Sequence, residues 1–340
     1  MQVRTAVAVP VALLLGCTTV GCGKAPTEVT VGPPTAGLLS EAAARTRTAG
    51  TGRVDGAVSF DGRLSFFGDS LTFKAAFTAA GEYDLGDHRN HLLATLTVME
   101  QQETSDTTSG RATTTDPTRP GDVFEHFGES DTTFLQRETL GGQPKLTDGK
   151  EWVRKTRKTG KEADPIEAVF RLSGLDDGGE TIDPDLLLSQ IEKVSDDVTE
   201  LPGETVRGTE TRHLRASVQV VRLYDDAVAS GTAKEGEAEC TRDLIRDKTV
   251  AIDVHIGTDG YVRRVAATGE IGAIFDATII CSLGGTTRGS SLDLEKSSKF
   301  SFTTSIDYYD IGQPVTITLP PADQIADGTT KFLPVGSAIS

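Results

Sequence analysis

From residue 53 onward the apolar residues of this chain recur at every second position, and that period constrains the fold more than any other feature. Leu92, Ala94, Leu96 and Val98 alternate with Leu93, Thr95, Thr97 and Met99. Leu214, Ala216, Val218 and Val220 alternate with Arg215, Ser217 and Gln219. The same pattern joins Val250, Ile252, Val254 and Ile256, with Ala251, Asp253 and His255 between them. It returns in Phe300, Phe302, Thr304, Ile306 and Tyr308. Such runs predict long strands with one apolar and one wet face, as in an antiparallel sheet. Asp259-Gly260 between two of them predicts a tight hairpin. A one-faced sheet must hide its apolar side, either by curling on itself or by taking helices against it.

Few helices are available for that task. Residues 38–47 carry Leu38, Leu39, Ala42 and Ala43 on one side, and Gly50 and Gly52 stop the run. Asp164-Pro165-Ile166-Glu167 and Asp183-Pro184-Asp185 both place Asp at N-cap and Pro at N1, so each predicts a helix start. Residues 104–122 are rich in Thr, Ser, Asp and Pro, and residues 225–239 are small and acidic; both predict mobile loops. The expected fold class is α+β, a curved antiparallel sheet (a half-barrel) wrapped around a few helices, forming one domain over residues 38–340.

The first residues set the compartment. Arg4 precedes an apolar run of ten, Ala6 to Leu15, shorter than the roughly 20 residues of a membrane span but suited to a secretory signal. Gly16-Cys17 and Gly21-Cys22 each offer a small residue before a cysteine, as a lipoprotein peptidase requires. Cys22 fits better as the lipidated residue, with a signal over residues 1–21; Cys17, with Leu14 three positions upstream, is the alternative. Residues 22–37 then form a tether with no apolar period. The expectation is a protein of the cell membrane, lipid-anchored on its extracytoplasmic face and carrying fatty acyl (palmitate-type) chains.

Two cysteines remain, Cys240 and Cys281, and an even pair in an oxidising compartment predicts a disulfide, with two buried thiols as the alternative. The formal charge of −16 repels phosphates and argues against nucleic-acid partners. No catalytic or phosphate-binding motif appears, and no metal or cofactor is expected. His88 and His91 lack a companion cysteine or carboxylate set at metal spacing. His213 and His255 fall on the wet registers of their strands, and Trp152 reads as a packing aromatic. Asp176, Asp177, Glu180 and Asp183 lack the spacing of a calcium loop and read as a solvated turn.

Several stretches together resemble a known family. Gly208-Thr209-Glu210-Thr211-Arg212-His213-Leu214-Arg215 opens a strand, and Asp253-Val254-His255-Ile256 turns into Tyr261-Val262-Arg263-Arg264. Tyr309-Asp310-Ile311-Gly312-Gln313-Pro314-Val315 is followed by Pro320-Pro321-Ala322-Asp323. In these features the chain resembles the actinobacterial lipid-carrier lipoproteins typified by LppX and LprG, which are similar in fold to the LolA and LolB carriers. The resemblance implies a sheet wrapped on helices, an apolar pocket for a lipid or glycolipid, and no covalent chemistry. It assigns no ligand-binding residue. The other reading the residues leave open is a structural or interaction lipoprotein with a filled core.

Overall fold

The chain divides into Met1–Gly32 and Pro33–Ser340. A computed structural model describes residues 35–66, 69–87, 89–105, 113–114, 123–129, 133–140, 143–144, 149–156, 195–229, 235–270 and 298–326, with 272, 276 and 281, all in the second unit. Cys17, Cys22, His88, the two Asp-Pro helix starts and the acidic turn at 176–183 lie outside the described residues.

The alternating runs form strands β1 (Thr51–Phe66), β2 (Asp69–Asp84), β3 (Arg89–Ser105), β4 (Thr113–Thr114), β5 (Val123–Gly128), β6 (Thr133–Leu140), β7 (Gln143–Pro144) and β8 (Trp152–Thr156). They continue as β9 (Ser195–Leu201), β10 (Thr205–Val206), β11 (Thr209–Gln219), β12 (Thr249–Gly257), β13 (Val262–Glu270), β14 (Lys299–Tyr309) and β15 (Ile325–Ala326). All belong to one open, curved sheet with the path β10-β11-β12-β13-β14-β1-β2-β3-β5-β6-β8-β15. Every pairing is antiparallel except β15 on β8. Three α-helices are described along their length, α1 (Thr35–Ala49), α2 (Val220–Ala229) and α3 (Glu235–Ile245), and residues 272, 276 and 281 are helical too.

Register fixes which residues share a face. One lateral row runs Leu214, Val254, Val265, Ile306, Gly56, Ala79, Ala94 and Phe124 across eight strands. This is the inner face, on which α1 lays Leu39, Ala42 and Ala43, α2 lays Val220 and Tyr224, and α3 lays Ile245. Thr46 of α1 ties helix to sheet: its hydroxyl accepts from the Val262 amide at 3.1 Å and donates to the Ala42 carbonyl at 2.8 Å. Gly50 ends α1 at φ +78°, a conformation that favours glycine, so β1 can start at once. The Asp259-Gly260 hairpin forms as expected, with Gly260 at φ +79°.

Four expectations are corrected. The helix starts at Thr35, three residues inside the predicted tether. The segment predicted as a loop at 104–122 begins as the end of β3 and contains β4, which pairs with it. The segment at 225–239 starts within α2 and ends within α3, where Arg242 pairs with Asp225. The strand predicted to run through Val220 stops at Gln219, and Val220 opens α2 while staying buried. A bulge at Thr97 also breaks the alternation of β3, because Phe77 pairs with Leu96 and Ala76 with Val98.

The chain after β14 straps the outer face. Ile317, Leu319 and Ile325 pack on Phe127, Leu135 and Trp152 of β5, β6 and β8. The Lys150 ammonium donates to the Ile325 carbonyl at 2.8 Å and the Glu151 amide to the Gln324 carbonyl at 3.2 Å.

Candidate functional site

The two halves of the inner face are filled differently. On β11 to β14 the row residues Leu214, Val254, Val265 and Ile306 are fully buried beneath the helices. On β1 to β3 the same row passes through Gly56, Ala79 and Ala94, three small residues side by side, and each is half-buried. Aromatic rings border this low strip. Phe60 stacks on Phe300 at 6.0 Å and Phe300 on Phe73 at 6.1 Å, while Phe77 meets Phe124 edge-on at 6.1 Å. Phe73, Phe77 and Phe124 are themselves only half-buried. Small side chains flanked by tall ones make a trough, and its lining is apolar.

Two glycines shape the trough's ends. A Cβ on Gly62 would lie 2.2 Å from the Lys299 carbonyl oxygen, so only glycine lets β14 bend this closely over β1. A Cβ on Gly52 would lie 2.5 Å from the Tyr83 hydroxyl, whose ring occupies that space. Burial pushes that phenol up to about 12.

The outer face carries charge instead. Its matching row runs His213, His255, Arg264, Asp307, Asp55, Ala80, Leu93, Glu125 and Arg137. Asp55 and Asp307 stand directly opposite each other, an arrangement of like charges that destabilises a sheet unless neutralised. Arg264 donates to both oxygens of Asp307 at 2.6 and 3.0 Å. Arg207 bonds both carboxylates and stacks over the Tyr309 ring at 4.2 Å. At the other end of the row Glu125 accepts from His91 at 2.8 Å and from Arg137, which also holds Glu151 and lies 4.9 Å over Trp152. Burial works to raise the Glu125 carboxyl, but His91 and Arg137 outweigh it and hold it below the usual range. Leu93, 40% exposed, sits between the two charged clusters.

The histidines depart from expectation. His213 and His255 do lie on the outer register, yet they are 8% and 3% exposed and their rings stack at 4.2 Å. His213 Nε2 lies 2.7 Å from Asp253 Oδ1, which Arg215 also holds at 2.8 Å. Burial first, then the charge of His213, lowers His255 below the usual imidazole range against the pull of Glu204. His126 is buried on the inner face against Phe134 at 4.8 Å, and His91 stacks on Phe127 at 4.1 Å. Trp152 is a packing aromatic as expected, but it is buried at 4% exposure where a half-buried ring is expected. Cys240 of α3 is bridged to Cys281, with the two Cα atoms 5.8 Å apart. Cys281 is buried and helical.

Among the described residues no group of three or more His, Cys, Asp or Glu is placed to hold a metal ion. No helix among them is long and apolar enough to cross a membrane. The lining of the trough was missed at the sequence level. Its signal was present in Gly56, Ala79 and Ala94, but it appears only once register sets these residues side by side.

No family model matches the chain, and no curated protein matches it. Among solved structures it is similar to LprF from Mycobacterium bovis, at 12% identity and a TM-score of 0.36, over 84% of this chain and 96% of that one. It is similar also to the lipoprotein LppX of Mycobacterium tuberculosis, again at 12% identity and 0.36, over 84% of this chain and 100% of that one. Likenesses this loose carry no function across.

Proposed function

We propose that this chain is a membrane-anchored lipoprotein of the cell envelope, lipidated at Cys22, that binds or carries a lipid or glycolipid without covalent chemistry. The trough over Gly56, Ala79 and Ala94 is the observation that carries this reading. An acyl chain laid there would rest on the small residues between the aromatic rings, and each methylene withdrawn from water contributes about 0.8 kcal/mol. The signal-like segment ahead of Cys22 supports the anchor. Among the described residues the outer face is taken up by ion pairs and by the strap of Ile317, Leu319 and Ile325 over Phe127, Leu135 and Trp152.

Native mass spectrometry of residues 23–340 expressed in a bacterium tests the reading. A co-purifying lipid, displaced by a fluorescent fatty acid, is the expected result. An empty body that takes up neither fatty acid nor glycolipid favours a filled core and a structural role.

A further inference from the structure

The hairpin of β10 and β11 is longer than its seat in the sheet. β11 pairs with β12 only from Thr211, opposite Gly257, so residues 204–210 overhang the sheet. The overhang folds onto the outer face, since Arg207 at its tip reaches Asp307 on β14 and Asp55 on β1. Its return is anchored at Thr211, whose amide and hydroxyl both donate to the Glu204 carbonyl, at 2.9 and 2.8 Å. Thr211 Oγ1 also lies 3.4 Å from His255 Nδ1, which places the stacked histidines next to this anchor.

We infer that residues 204–210 form an acid-released flap, latched while the buried His255 ring is neutral. The charged groups around the pair set the order of events. Asp253 of β12 faces His213 at 2.7 Å and is shared with Arg215 of β11, so the carboxylate nearest the stack is already engaged in the closed hairpin. A proton on His255 is added to a buried ring stacked on His213 at 4.2 Å. It meets also Arg264 of β13, which is fixed on Asp307 of β14, and only Glu204 of the flap and the already paired Asp253 oppose this repulsion. Burial disfavours a charged imidazole, and lifting the flap gives the charged His255 ring water.

The sign follows from linkage. A histidine held below its free value stabilises the closed form while neutral, and that stabilisation is lost as pH falls through the range of free imidazole, near 6.5. Arg207 is the mechanical half of the latch, because its bonds to Asp55 and Asp307 break when the tip lifts.

Hydrogen exchange of the exported protein at pH 7.5 and pH 5.0, corrected for intrinsic rates, reads the flap directly. The expected result is at least tenfold faster exchange for amides 204–211 at pH 5.0, with β1 and β2 unchanged. His255→Gln removes that pH dependence, and Arg207→Ala opens the flap at both pH values. A change under twofold overturns the inference, as does equal acceleration in β1, which would mean general unfolding. A proton NMR titration of the unmodified protein repeats the test without relying on a variant that folds. Flap amides that stay flat while the ring signals titrate overturn it too.

Discussion

Ala79→Phe separates a ligand trough from a filled core. Ala79 lies between Gly56 on β1 and Ala94 on β3, with Phe77 two residues before it on the same face. A benzyl side chain at this point rises into the trough and takes the room of about three or four acyl methylenes. At about 0.8 kcal/mol per methylene, excluding them weakens binding by about 3 kcal/mol, or about a hundredfold. If the trough is open to a ligand, the new ring replaces that ligand and the fold changes by less than about 1 kcal/mol. If the chain itself fills the trough, the ring must be forced in, which costs about 1–3 kcal/mol. A shift of about 2–4 °C in Tm accompanies each kcal/mol in a chain of moderate size. The expected outcome is a fatty-acid titration weakened about a hundredfold with Tm nearly unchanged. A drop in Tm of 5 °C or more with lipid uptake intact would refute the trough.

Three further outcomes can be measured directly. Cys22→Ser should release the protein from membranes and abolish labelling by a radioactive fatty acid, while Cys17→Ser should not; the opposite result moves the anchor to Cys17. Reducing Cys240–Cys281, which are separated by 41 residues, should lower stability by roughly 4 kcal/mol in the chain-entropy account. It should loosen retained lipid as well, and two free thiols in untreated protein would remove the premise. Glu125 is held below its ordinary 4.5 by His91 and Arg137, so its contribution to stability is present above that pH and is lost as pH falls below it. Acid melts of Glu125→Gln should therefore show a shallower loss of stability below about pH 4.5, and identical acid slopes would count against the cluster.

Much of the sheet was legible because period two is a local signal. Val250 to Ile256 and Phe300 to Tyr308 keep a strict alternation, and their inner residues are buried as the pattern required. β3 was read correctly only as far as Leu96, since a bulge leaves no mark in a run of apolar and threonine residues. The trough could not be read at all. Gly56, Ala79 and Ala94 come from three strands, and each looks like an ordinary small residue in its own segment. Only the register of β1, β2 and β3 sets them side by side.

The histidine pair shows why outward-facing positions are the harder ones to read. Alternation places His213 and His255 on the outer side of their strands, but period alone does not tell an exposed outer position from a buried one. Burial on that side depends on what another part of the chain lays over it. Gly208 at φ +81° and Arg207 at φ +47° reverse the hairpin in backbone conformations uncommon for most residues. The turned tip carries a guanidinium to the opposed Asp55 and Asp307. Two carboxylates facing each other across β1 and β14 were visible as single residues but not as a pair, and their pairing is what recruits Arg207. The stacked histidines and the carboxylates that hold the hairpin tip lie in one lateral row across β11, β12, β14 and β1, which no window along the sequence contains.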